Sequence, residues 1–444
     1  MRVKPFFYFL TFLSIFILGS AQAEISPVIL KIEHWSTKNG VPVYFVAKNE
    51  IPIIDIGVLF HAGSAQDNNS PGIALFTAQM LDQGTQYLNA DQIANRFEAV
   101  GAHYSANTNQ DMTALNLRSL SAPQFFNPAL SNFSVLLKDA TFPDLAINRI
   151  KKQMLIALQQ EAQTPSAIAA KTFYKNLYGL HPYASPILGN KMSIEQLSQK
   201  KLLNFYNDNY VAQNAMIAIV GNTTKAKAVA IAEQLSSMLA KGKTTLSTNP
   251  PISPHLKNHI VKVPYPSKQT TIFLGQIGIA VNDPDYFPLL VGNQILGGGI
   301  LTSKLFNEVR NKRGLCYGIN SGFKPLQAAG PFFIILQTRR DQAAKALTLT
   351  QQTLKNFLAK GPTSQEVNGA KQALVGSFPS SIASNEDILT AMEKIGFYQL
   401  PLDYLDSYQQ KINSVGLEQI RQAFQRIKPE KMIVVMVGKN NYNG

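Results

Sequence analysis

NAMIAIVGN (Asn214–Asn222) returns near the end of the chain as EKMIVVMVGK (Glu430–Lys439). Each is a short, unbroken apolar run closed by Val-Gly. It is too short for a buried helix and lacks alternation, so it reads as a strand covered on both faces. Each follows a helical stretch that contains an aromatic, LLNFYNDNY in one case and IRQAFQRI in the other. A chain that closes its two halves with the same helix–strand phrase reads as a duplication. The fold class that follows is α+β, with two homologous domains, each a mostly antiparallel sheet packed with helices. The boundaries read as 24–238 for the first domain, 239–259 for a linker and 260–444 for the second.

Working outward, VPVYFVAKNEIPIIDIGVLFHAG (Val41–Gly63) predicts two strands around a turn at Lys48-Asn49-Glu50. A helix is expected from Gly72 to about Gln83, and another over Ala90–Val100 with Asp91 as its N-cap. AHYSANTNQDMTALNLRSL alternates like a strand pair, and a long helical region runs from Asp144 to Gln163 and on past Pro165. The segment Leu239–His259 is rich in Lys, Ser, Thr and Pro, as a linker is. Beyond it come the strand QTTIFLGQIGIA, a helical stretch ending in Gly297-Gly298-Gly299, and a helix over Thr302–Lys312. Strands CYGINSGF and GPFFIILQT and two long helices, Asp341–Leu358 and Ser364–Leu374, complete the second half.

The first 23 residues have the form of an export signal. Arg2 and Lys4 precede an apolar core, Phe6–Leu18, and Ala21-Gln22-Ala23 is a small-x-small cleavage site. The expected location is therefore periplasmic. No later segment is apolar for long enough to span a membrane. The net charge of +14 is not organised into basic runs interleaved with aromatics, so nucleic acid is not an expected partner. With Cys316 as the only cysteine, no internal disulfide can form. Cys316 reads as a small buried residue rather than a nucleophile. Of six histidines, only His255 and His259 have the i, i+4 spacing of a helical ligand pair, and they sit in the Pro-rich linker with no acid between them. GKTT (Gly242–Thr245) lacks the earlier glycine of a phosphate loop, having Ser237 there.

Several motifs together resemble those of the pitrilysin/insulinase-type zinc peptidases, the group that includes the mitochondrial processing peptidase and bacterial relatives. They are GVLFHAGSAQDNNSPGIALFTAQMLDQGT, FEAVGAHYSANTNQDMT, LYGLHPYASPILGN, NFYNDNYVAQNAMIAIVGN and SKLFNEVRNKRGLCYGINSGF. The resemblance covers essentially the whole mature chain and implies a clamp of two such domains. Catalytic members carry H-x-x-E-H on the first of these helices. Its two histidines bind zinc from one helical face, and its glutamate acts as base. The resemblance puts Leu75 and Gln79 at the histidine positions and Ala78 at the base. It puts Ala157 at the distant glutamate ligand, with Glu161 one turn on. No metal is expected in this chain.

The same resemblance gives Arg310 and Tyr317 another standing. They match an arginine–tyrosine pair in the second domain that reaches across the peptide chamber to a zinc site. A tyrosine hydroxyl and a guanidinium are suited to an oxyanion formed on a peptide carbonyl. Gly297, Gly298 and Gly299 read either as a substrate-contacting loop or as a turn between helices. Ala106 and Asn107, within AHYSANTNQ, are candidates for an edge to which an extended peptide adds a strand. The implied function is a noncatalytic subunit of a heterodimeric zinc metallopeptidase. Its partner would be an H-x-x-E-H homologue that holds the zinc, and its substrate an unfolded peptide. The alternative is a homodimeric binding or scaffold protein that keeps only the clamp.

Overall fold

The computed structural model describes residues 30–242, 252 and 259–439. The segment expected to be an export signal, His255 and most of the 239–259 segment lie outside these residues. β7 begins at His259, the last residue assigned to the linker by sequence.

The first sheet has six strands in the order β1-β2-β6-β3-β5-β4. They are β1 (Glu33–Ser36), β2 (Pro42–Ala47), β3 (Ile53–Phe60), β4 (His103–Thr108), β5 (Thr113–Leu120) and β6 (Ala215–Gly221). The second has five, in the order β7-β11-β8-β10-β9. These are β7 (His259–Pro264), β8 (Gln269–Ile277), β9 (Cys316–Phe323), β10 (Pro331–Arg339) and β11 (Ile433–Gly438). Without β1 the two orders are the same. Each last strand runs parallel to the first of its half and antiparallel to the second. The expected duplication is thus a repeat of topology, and the fold is α+β with two homologous units.

The two strands expected around Lys48-Asn49-Glu50 are β2 and β3. β2 and β3 follow one another around Lys48-Asn49-Glu50 but do not pair, because β6 lies between them. The fully apolar run of β6 explains this. Every residue from Ala215 to Gly221 is buried, which suits the middle of a sheet rather than its rim.

The helices also refine the sequence reading. α1 (Ile73–Met80) is shorter than expected. α2 (Ala90–Glu98) is capped by Asn89, not Asp91. The Asn89 side chain accepts from Gln92 N while Gln92 Oε1 accepts from Asn89 N, a capping box. α3 (Pro123–Lys138) starts on a proline. The long helical region is two helices, α4 (Asp144–Ala162) and α5 (Pro165–Tyr178). They break at Gln163-Thr164 because Pro165 cannot continue a helix but suits the first turn of a new one.

α5 does not cover its own sheet. Its Ala169, Phe173 and Leu177 pack with Phe273, Val435 and Val437 of the second sheet. The helix Asn385–Phe397 makes the reciprocal move. Its Ile388, Met392 and Ile395 pack with Met216, Ala218 and Val220 of the first sheet. The strand period of two explains how both faces are served. In β6, Ile217 and Ile219 face the core of the first half, while Met216, Ala218 and Val220 face the borrowed helix. In β11, Val434 and Met436 face the core of the second half, while Ile433, Val435 and Val437 face α5. The sheets follow the two halves of the sequence; the helices between them are exchanged.

Polar groups lock this junction. The Asp111 carboxylate, at the tip of the β4–β5 hairpin, accepts from Tyr183 OH (2.5 Å), Gln327 N (2.9 Å) and Tyr398 OH (2.9 Å). Gln327 lies between β9 and β10, so the tips of the two edge hairpins meet at this one carboxylate. Lys324 Nζ adds a bond to Gln110 Oε1 (3.0 Å). Burial pushes the Tyr183 and Tyr398 hydroxyls upward in pKa, which keeps both as donors.

Glu393, on the exchanged helix Asn385–Phe397, lies over β3. A Cβ at Gly57 would fall 2.6 Å from its Oε1, so the glycine makes room for the carboxyl. Burial pushes the Glu393 carboxyl from 4.5 up to about 7. An acid raised in the folded state holds its proton where the unfolded chain has lost it. Stability therefore falls as pH climbs from 4.5 through about 7. Glu393→Gln is expected to flatten that slope and to stabilise the protein at about pH 8 by on the order of 2 kcal/mol. Urea unfolding of both proteins across this range is the check, and equal pH slopes would count against it.

Candidate functional site

The turn before α1 is built by glycines and one buried acid. Gly72 has φ 92°, which a glycine adopts freely, and a Cβ there would meet the Gly189 Cα at 3.0 Å. The SPG turn before α1 and the ILGN end of the HPY stretch thus touch backbone to backbone. Asp67 ties them further. Its carboxylate accepts from Gly72 N (2.8 Å), Ala74 N (3.0 Å) and Ser185 Oγ (3.2 Å). Among the described residues no salt bridge reaches it, and burial pushes it up to about 7. His181 holds the same loop, its Nδ1 accepting from Tyr183 N at 3.1 Å.

On α1, Leu75 and Gln79 lie one turn apart and are half-buried, while Ala78 is buried. Leu75 packs against the first core. α4 packs beside α1 and presents Ala157 half-buried. Glu161, one turn on, is engaged by Lys171 Nζ at 2.8 Å. This donor set does not fit zinc. Leu and Ala have no lone pair, and Gln79 offers one neutral amide oxygen. Among the described residues no three His, Cys, Asp or Glu side chains cluster to hold a metal ion. The histidines are placed elsewhere. His61 is half-buried with its ring 4.1 Å from that of Phe397, and the burial it does have lowers its pKa to about 4. His103 is exposed at the start of β4, and His34 Nδ1 lies 2.9 Å from Val43 O.

In the second half the structure brings Arg310 and Tyr317 together. Arg310 lies in a π-helical turn, Phe306–Asn311. Such widened turns concentrate at functional sites. Its guanidinium stands 4.7 Å from the Phe306 ring centre and 5.4 Å from that of Tyr317. Tyr317 sits at a β-bulge, because β10 pairs Gln337 with Gly318 and Thr338 with Cys316, passing it over. A bulge re-aims a side chain. Here the Tyr317 side chain points outward, and the residue is 76% exposed on the edge strand β9. Tyr317 is outside the core, and Arg310 stacks on two rings. Cys316 beside them is buried, with its thiol pushed up to about 11 by that burial.

Gly297 and Gly298 end a π-helical segment, Gln294–Gly298, and Gly299 follows it. Gly297 and Gly299 are buried, and a Cβ at Gly297 would fall 2.3 Å from Ser321 Oγ of β9. The glycines let this turn lie flat on the sheet, while Ile300 (83% exposed) and Leu301 (64%) form its outer surface. Ala106 and Asn107 lie on β4, the edge strand of the first sheet, with Asn107 exposed and Ala106 packed on the first core. Sequence reasoning missed Asp67 and Asp111. Each sits among turn formers and reads as an ordinary turn residue until its buried partners are seen.

Residues 43–191 match the family model for insulinase, peptidase family M16, and residues 196–374 match the model for the peptidase M16 inactive domain. A crystal structure of a peptidase M16 inactive domain from Pseudomonas fluorescens is 40% identical. It superposes with a TM-score of 0.89 over 93% of this chain and 98% of its own. The uncharacterized zinc protease YmxG of Bacillus subtilis is 25% identical over 410 residues, which is 91% of this chain and 98% of that one. The non-peptidase homolog YmxG of Helicobacter pylori is 26% identical over 385 residues, covering 86% and 87%. The relatives' names thus divide between protease and non-peptidase. The chain belongs to the insulinase-type peptidase family M16, as a noncatalytic member without the zinc-binding helix motif.

Proposed function

We propose that this chain is the noncatalytic subunit of a two-chain zinc metallopeptidase. It would be exported to the periplasm by its N-terminal signal, and its partner would be a homologue bearing H-x-x-E-H. The observation that carries the reading is the convergence of Arg310 and Tyr317 on an exposed sheet edge. A scaffold has no use for a guanidinium and a phenol presented side by side to solvent. The partner holds the zinc, and this chain supplies the wall opposite. Arg310 and the Tyr317 hydroxyl donate to the oxygen that gains charge when a peptide carbonyl is attacked. An extended, unfolded peptide lies along a sheet edge, for which β4 with Ala106 and Asn107 is the candidate.

Reconstitution tests this. The purified chain alone is expected to hold no zinc and to cleave no peptide. Mixed with the H-x-x-E-H homologue of the same cell, it is expected to raise peptidase activity. In that mixture Arg310→Ala and Tyr317→Phe should each lower kcat/KM by about 10²-fold. No gain on mixing, or full activity with both variants, would favour the alternative of a homodimeric binding protein.

A further inference from the structure

A cavity of about 350 Å³ opens between α3 and the helix Lys225–Met238, away from Arg310 and Tyr317. Its walls are apolar, made by Ile54, Phe126, Leu130 and Ile231. Around them stand Ser121, Asn127, Asn222 and Gln234, with Lys227 as the one charged group among the described residues of the lining. Thr223 also lines it. That residue is only 7% exposed, and no described residue hydrogen-bonds its hydroxyl. Folded proteins seldom leave a buried hydroxyl without a hydrogen-bond partner. The Gln234 amide is held in place, its Nε2 donating to Ser134 Oγ at 3.1 Å. An apolar body with a few convergent polar groups, at the lower end of the ~300–1,000 Å³ range, is the form of a small-molecule site.

The lining selects the ligand's charge. Among the described residues it has hydroxyl and amide donors and one ammonium, and no carboxylate. A cationic head would meet Lys227 with nothing to offset it, whereas a carboxylate can accept from Lys227, Thr223 and the amides. We infer that this cavity binds a small anionic amphiphile, with its hydrocarbon part between Phe126, Leu130 and Ile231 and its carboxylate at Thr223 and Lys227. The inference does not depend on the peptidase-pair reading.

Calorimetric titration of the full mature chain with octanoate, and with octylamine as the charge-reversed control, tests it. Octanoate is expected to bind saturably with a Kd below about 1 mM, and octylamine at least about tenfold more weakly. Lys227→Glu should weaken octanoate about tenfold. Ala230→Trp, at an exposed lining position, should abolish binding without changing Tm, and Leu130→Trp fills the same space from the opposite wall. No saturable octanoate binding, equal binding of the two probes, or octanoate binding that survives both tryptophans overturns the proposal.

Discussion

Asp111→Ala is expected to lower the unfolding free energy by on the order of 4 kcal/mol. Three donors lose their acceptor at once: Tyr183 OH, Gln327 N and Tyr398 OH. Asp111 is 4% exposed, so water does not readily replace the carboxylate. At ~1–3 kcal/mol for each unsatisfied buried group, the loss is large beside a typical net stability of ~5–15 kcal/mol. Tyr398→Phe removes a single donor and is expected to cost only about 1 kcal/mol. Urea denaturation followed by fluorescence and far-UV circular dichroism checks both. Because Asp111 joins the two halves, the two probes should also separate in Asp111→Ala while coinciding in the wild type. A variant as stable as the wild type would show that the junction rests on packing alone.

Phe173→Ala is expected to cost about 3–5 kcal/mol. The ring is fully buried on the exchanged helix α5, with its centre 4.4 Å from that of Phe273. Gly275 makes the fit possible, since a Cβ there would stand 2.9 Å from Phe173 Cζ. The cavity left by alanine lies between elements of different halves, on a sheet whose backbone cannot move in to fill it. Thermal unfolding of the variant, read against a solvent-exposed control such as Leu180→Ala, measures the effect. A shift no larger than that of the control would mean that α5 is not a structural part of the second half.

Much of the architecture was legible because it is written in short-range patterns. The apolar runs of β6 and β11 were readable as strands, as were the alternating β4 and β5 and the strands β9 and β10. What escaped was long-range. Nothing near Val41–Gly63 shows that a strand beginning at Ala215 will come between β2 and β3. Nothing local to α5 tells that its apolar stripe faces the other sheet, because a helix needs an apolar surface but does not specify whose. The site divides in the same way. The substitutions at Leu75, Ala78 and Gln79 are visible in one helical turn. The meeting of Arg310 and Tyr317 depends on a π-helical turn and a β-bulge, local irregularities that the sequence pattern does not announce.

The exchange of α5 and the helix Asn385–Phe397 bears on how such a chain could have arisen. Two copies of a half-sized ancestor, each lending a helix to the other, would form a symmetric swapped dimer with this same junction. Joining the copies end to end adds no contact; it raises the local concentration of one half around the other. Once fused, the halves are free to diverge. In this chain the first half carries Leu75, Ala78 and Gln79 on α1, with no zinc-binding set there, while the second has an arginine and a tyrosine at its rim.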